Sequence, residues 1–196
     1  MKKRSKSTLT RSVASALLSA MSIVLGKLLA VNLGEVIRIS FENLPILFAA
    51  LALGPIAGAV VALVADLVGC LLVGYAINPL VTLGAVTIGA ISGLSMRLLP
   101  RRLPEWARIS ISVAAAHVLG SVVIKSVGLS VFYSMPLGVL MLWRLLNYLL
   151  VGAAESALLT FLMKNRGVRM AISSIRGEGA VRHSDGDDDE ENFDEL

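Results

Sequence analysis

The chain has 196 residues, 56% of them hydrophobic and 16% charged. A soluble domain carries about 45–50% apolar and about 25% charged residues; with a mean hydropathy of +0.78, a soluble fold is excluded and an integral membrane protein remains. The formal net charge of +4 sums basic segments and an acidic C-terminal run, and no interleaving of aromatic and basic residues points to nucleic acid.

A helix that crosses a bilayer needs about 20 mostly apolar residues. The first candidate runs from Leu9 to Val31 behind basic "MKKRSK". That outline also fits a secretory signal, but Lys27 interrupts the run and no small-x-small cleavage site follows, so an uncleaved first span is expected. A short second span, Phe41 to Leu53, stops at "LGP", and Pro55 opens a third that reaches Tyr75; proline suits a first helical turn. "INP" turns the chain into a fourth span, Leu80 to Leu99, and "PRRLPEWAR" is a loop. The fifth runs from Ile109 to Val131, "FYSMP" is a turn, and the sixth runs from Leu137 to Met163. Such short connections predict an all-α, polytopic, compact six-helix bundle. The divisions are a basic N-terminus (1–8), a transmembrane domain (9–165) and a polar tail (166–196). The tail ends in "HSDGDDDEENFDEL", a like-charge run expected to be disordered. An interaction role for it stays open.

Topology follows from the basic residues. With six spans, Lys2, Lys3, Arg4, Lys6 and Arg11 share a side with Arg97, Arg101, Arg102 and Arg108, and with Lys164, Arg166, Arg169, Arg176 and Arg182. The opposite loops hold Arg38. The positive-inside rule therefore puts both termini in the cytoplasm of a multi-pass cell-membrane protein.

Catalysis and metal binding find no motif: there is no CxxC, HExxH, GxSxG or Gly-rich phosphate loop. Cys70, the lone cysteine, reads as a small packing residue. The informative residues are ionisable groups inside apolar segments, which are costly there and face a bundle interior or a cavity. Helical spacing aligns Gly58, Ala62, Asp66 and Gly69 on the third span, His117, Ser121, Lys125 and Gly128 on the fifth, and Arg144, Asn147, Val151 and Glu155 on the sixth. His117 and Glu155, and Ser121 with them, read first as hydrogen-bonded or paired locks between helices. By depth, Arg38, Lys125 and Arg144, with Lys27, ring an outward cavity that Glu42, Asn43 and Asn147 share. That pocket suits a ligand with carboxylates. Phe41, Phe132, Tyr133 and Trp143 lie at the same level, either to stack on a flat ring or as an interfacial aromatic belt. The groups cluster at one end, as in a binding site rather than a pore, and no inverted repeat of a secondary transporter is visible.

"RISFENLPILFAALALGPIAGAVVALVADLVG" (Arg38 to Gly69) and "PLGVLMLWRLLNYLL" (Pro136 to Leu150) resemble the substrate-specificity (S) components of energy-coupling factor (ECF) vitamin transporters, the folate family in particular. The first carries Arg-x-Ser-Phe, a Gly-Pro-x-x-Gly turn and an Asp-x-x-Gly. The resemblance covers about residues 10 to 165. It implies a non-enzymatic protein that captures a vitamin outside and delivers it by toppling in the bilayer. A transmembrane T subunit and two cytoplasmic ATPases would drive it, the ATPases using the ATP and this chain needing no cofactor. It also implies a docking motif of small residues on the first helix, for which Ser12, Ala16 and Ala20 qualify. Binding would fall to Arg38, Phe41, Glu42, Asn43, Asp66, Lys125, Arg144 and Asn147. The cations would take the glutamate carboxylates, Asp66, Glu42, Asn43 and Asn147 the pterin, and "NLGEVIRIS" (Asn32 to Ser40) would act as a lid. One departure stands out: "GYAINPLVTLG" (Gly74 to Gly84) lacks the aromatic-Pro-Gly stretch of folate-type members. Two alternatives therefore remain: an S component for another vitamin or a nucleobase-like precursor, and a structural membrane protein with no ligand.

Overall fold

A computed structural model describes residues 2–33 and 37–176, the side chains of 2–7, 28, 31–33 and 37–39 excepted. The protein is an all-α helical membrane protein with one small hairpin. Helix α1 (Lys2–Ile23) continues into a π-helical stretch, Val24–Leu28, and then into antiparallel strands β1 (Val31–Leu33) and β2 (Ile37–Ile39). Helices α2 (Asn43–Leu53), α3 (Pro55–Val73) and α4 (Pro79–Leu98) follow. Next, α5 (Glu105–Ala116), a second π stretch (His117–Ile124) and α6 (Lys125–Tyr133) form one continuous rod, and α7 (Leu137–Lys164) and α8 (Arg166–Arg176) complete the described chain. Among the described residues, five segments are long and apolar enough to cross a membrane: Thr8–Lys27, Pro55–Val73, Pro79–Leu98, Glu105–Tyr133 and Leu137–Lys164. Large apolar side chains such as Leu71, Leu72, Leu149, Leu150 and Phe161 point outward, as they do where lipid is the solvent.

Helix α2 is the exception among the expected spans. Its 11 residues rise about 16 Å, roughly half of a hydrocarbon core about 30 Å thick. It is apolar on every side and buried accordingly. Ile46, Leu47, Ala49 and Leu51 pack in one cluster with Val61, Ala62, Ala85, Ile88, Ile109, Val113 and Leu159. A helix end buried this fully, with Leu51, Ala52 and Leu53 all covered, leaves carbonyls that need donors. Arginines supply them: Arg11 Nη2–H donates to Leu53 O at 2.9 Å, and Arg176 Nε–H donates to Ala52 O at 2.7 Å. Gly54 then turns the chain at φ 106°, a value that needs glycine. These contacts gather the α2–α3 turn, the start of α1 and the end of α8 at one end of the bundle.

At the opposite end lie the hairpin, the α3–α4 loop and the α6–α7 turn. The hairpin pairs Val31 with Ile39, Asn32 with Arg38 and Leu33 with Ile37, and β2 runs beside α7. The α3–α4 loop is locked by Asn78. Its Oδ1 accepts from Leu80 N–H and Val81 N–H at 3.0 and 3.3 Å, and its Nδ2 donates to Gly128 O at 3.1 Å. Losing the cap and the buried bond together costs about 2 kcal/mol. Asn78→Ala is thus expected to lower the ligand-free melting midpoint by several degrees, and Asn78→Asp, which keeps the cap, by about half as much.

The segment "NLGEVIRIS", expected to act as a lid, has strand residues near both ends, and Gly34, Glu35 and Val36 lie outside the described residues. The polar tail was expected from residue 166, yet Arg166–Arg176 is a helix whose half-buried Val168, Ile172 and Ile175 recur at helical spacing. It lies against α1, α2 and α7. Residues 177–196, with the acidic run, lie outside the described residues.

Candidate functional site

A cavity of about 440 Å³ lies at the hairpin end among the first π stretch, α3, α4, α6 and α7. The π stretch at the end of α1 delivers Lys27 to its wall, with Nζ 5.6 Å from the centre of the Tyr75 ring. Glycines make room for long polar side chains. A Cβ on Gly69 would come within 3.0 Å of Lys27 Cε, one on Gly84 within 2.6 Å of Lys125 Cγ, and one on Gly26 within 2.8 Å of Glu42 Oε2. Glu42 is set by Ser22, whose Oγ–H donates to Glu42 O at 2.6 Å, and by Ser40 Oγ, which accepts from Glu42 N–H at 3.2 Å. Its carboxylate faces Lys125, Oε1 lying 3.8 Å from Nζ. Asp66 reaches the cavity from α3, and its Oδ2 accepts from Thr82 Oγ–H at 2.6 Å.

The second π stretch positions the last cation. In it the Lys125 N–H bonds back to Gly120 O, and the Ser121 carbonyl instead accepts from Arg144 Nη1–H at 3.2 Å. Arg144 thus lines the cavity with Asn147 and Tyr148, two neighbours on the same face of α7. Below the main space sits a chamber of about 30 Å³ bordered by Ser22, Glu42, Asn43, Asp66 and Lys125, room for one water-sized group. Asn43 is 1% exposed, and both its amide atoms lack a partner among the described residues. Such a group is ready to donate one hydrogen bond and accept another.

Of the residues expected from the sequence, Glu42, Asp66, Lys125, Arg144 and Asn147 line the cavity together, and Asn43 borders the chamber beneath it. Phe41 is half-buried but absent from the lining of both spaces. Arg38 falls in β2 and its side chain lies outside the described residues, so the cations seen on the wall are Lys27, Lys125 and Arg144. Tyr133 and Trp143 line the cavity as the stacking alternative requires, whereas Phe132 does not. Tyr75, Asn78 and Tyr148 also line it and were not anticipated, and Cys70, read as a packing residue, reaches the wall. Tyr148 had a signal: it stands four residues after Arg144, on the stripe already drawn.

His117 and Glu155, on the second π stretch and α7, pair with each other away from the cavity lining. Their side chains meet at 2.6 Å (Nε2 to Oε2), buried at 3% and 0% exposure. On α1, Ser12, Ala16 and Ala20 are all exposed, and Ser12 and Ala16 border an open groove between α1 and α3. No group of histidine, cysteine and carboxylate side chains suited to hold a metal occurs among the described residues.

Comparison with known proteins adds an independent line. The family described as ECF transporter, substrate-specific component, matches residues 10–175. Among solved structures, the crystal structure of FolT bound with folic acid is similar at a TM-score of 0.62 and 26% sequence identity, over 78% of this chain and 92% of that one. A structure of the S component of a bacterial ECF transporter is similar at 0.58 and 20% identity, over 80% and 95%; that likeness is one of fold. No curated protein sequence matches the chain.

Proposed function

Because the chain belongs to the substrate-specific components of ECF transporters, a class that binds and hands over a solute without catalysis, we propose that its solute is folate. One observation carries the reading. A cavity of about 440 Å³ combines three cations, Lys27, Lys125 and Arg144, with four aromatic side chains, Tyr75, Tyr133, Trp143 and Tyr148. Folate has both matching parts, a planar pterin and a glutamate with two carboxylates. The likeness to a protein that binds folic acid supports the same ligand.

In this reading Arg144 and Lys125, joined by Arg38 from the hairpin, take the carboxylates through charge-assisted bonds. Asp66 and Glu42 accept from the pterin N–H groups, and Asn43 and Asn147 offer both donors and acceptors. Phe41 supports the hairpin beside the ring, and the hairpin covers the bound ligand. The basic end of the bundle, with both termini, is cytoplasmic, and the cavity faces out of the cell. Ser12, Ala16 and Ala20 form the face on which the T subunit docks, since small residues at helical spacing allow close approach. Two cytoplasmic ATPases supply the energy, and the acidic tail stays on their side of the membrane.

The test is a thermal-shift series over the B vitamins on purified protein, followed by calorimetry. A ligand at about a thousand times its Kd adds about 4 kcal/mol of stability, which for a chain of this length is on the order of 10 °C. Folate is expected to give that shift and a nanomolar Kd. A comparable shift with a different vitamin and none with folate would replace the ligand. No shift with any vitamin would leave only a helix-locking role for the polar stripes.

A further inference from the structure

We infer that the buried Glu155–His117 pair positions Arg144, and so sets how tightly the site holds a ligand's carboxylate. The inference rests on the reading of Arg144 as the carboxylate clamp. The pair is costly to bury. A carboxylate with 0% exposure has been taken out of water at several kcal/mol, and apolar replacements of such pairs often stabilise a fold. Helices α5 and α7 already meet through apolar and small residues: Val113, Leu159 and Ile109 share one cluster, and Gly152 lets α7 approach His117. Packing alone does not require the pair.

The geometry shows what it does instead. His117 Nε2 lies 2.6 Å from Glu155 Oε2, and an ionised carboxylate there accepts from the Nε2–H tautomer. In the neutral ring this leaves Nδ1 as an acceptor for the Ser121 hydroxyl, at 3.3 Å. The carbonyl of the same Ser121 accepts from Arg144 Nη1–H at 3.2 Å. Two residues of α7, Glu155 and Arg144, thus hold the π stretch from below and above, and both links pass through Ser121. Tyr148 lies between them on α7. Its ring stacks on His117 with centroids 4.5 Å apart and planes at 21°, while it also lines the cavity. Ser121 is fully buried, and its carbonyl is offered sideways because the π stretch sends the Lys125 N–H to Gly120. If the hook on Ser121 is released, the carbonyl moves and Arg144 loses its seat.

Three variants separate positioning from mere stability. Glu155→Leu with His117→Phe replaces the pair by apolar groups and removes the hook. Ser121→Ala removes the hydroxyl only, a change small enough to fold. Glu155→Gln keeps an acceptor for the imidazole. The first measurement needs no ligand: the rate at which a dicarbonyl reagent modifies Arg144, read by peptide mass spectrometry. The double variant and Ser121→Ala are expected to raise it about threefold or more, as the loss of a bond worth about 1 kcal/mol implies, and Glu155→Gln to leave it near wild type. The second is calorimetry with folate and with pteroate, which lacks the glutamate. The same two variants are expected to weaken folate about tenfold and pteroate less than about twofold. An unchanged Arg144 labelling rate in Ser121→Ala, or equal losses for folate and pteroate, overturns the positioning role. If wild type binds neither compound, the folate reading falls, and the labelling rates alone decide the inference.

Discussion

Arg144→Ala is expected to weaken folate binding about a hundredfold while the protein still folds. The guanidinium offers five donors in a rigid fork, and one of them is committed to Ser121 O. The remaining fork is left for a carboxylate in a wall otherwise built of helix. Removing one partner of a buried charge pair costs about 2–5 kcal/mol, and a value near 3 kcal/mol is roughly a hundredfold in Kd. The fold loses only one hydrogen bond to a carbonyl, about 1 kcal/mol, against a core that Arg144 does not join. Arg144→Lys keeps the charge without the fork and is expected to fall between wild type and alanine. The measurement is titration calorimetry, with the melting midpoint of the ligand-free variant as the check on folding. Unchanged affinity in Arg144→Ala would remove the clamp from Arg144 and send the search to Lys27, Lys125 and Arg38.

What the sequence made legible, and what it did not, divides by physical cause. The spans were legible because lipid demands long apolar runs, and the α2–α3 and α3–α4 turns because Gly54–Pro55 and Asn78–Pro79 punctuate them. The polar stripes pointed inward because an ionisable side chain in a span has few places to go; spacing turned Asp66, Lys125 and Arg144 to the interior, and depth put Lys125 and Arg144 at one end. The hairpin was hidden by length. Strands of three residues cannot display an alternation that a periodicity argument can use. Both π stretches were hidden because an i to i+5 ladder leaves no mark in composition, although the first aims Lys27 and the second frees the Ser121 carbonyl. Arg11 and Arg176 were counted as topological charges, and they are also the donors that finish α2. In α8 the change to polar composition masked a helical period of apolar residues that was there to be read.

The largest structural effect is expected from a single methyl group at Gly89. Helices α3 and α4 approach each other backbone to backbone. A Cβ on Gly89 would stand inside contact distance of the Gly58 carbonyl group and 2.7 Å from Ala59 N. One on Gly93 would stand 2.6 Å from Pro55 Cα. These neighbours are main chain, so no rotamer change relieves the clash and the helices must part. Overpacking a well-filled interior costs about 1–3 kcal/mol, and a backbone clash in a pair without slack is expected at or above the upper end. The loss does not stay local. Asp66 is on α3 and its partner Thr82 on α4, bonded at 2.6 Å, so separation also opens the wall of the cavity. Gly89→Ala is therefore expected to lower the melting midpoint, broaden the size-exclusion peak in detergent and reduce ligand affinity together. Gly138→Ala is the control: it lies in the first turn of α7 with nothing within 4 Å of the added carbon, and alanine is the better helix former. Its midpoint is expected to hold or rise. If both variants melt with wild type, α3 and α4 do not meet through Gly58 and Gly89, and the cavity wall they form must be redrawn.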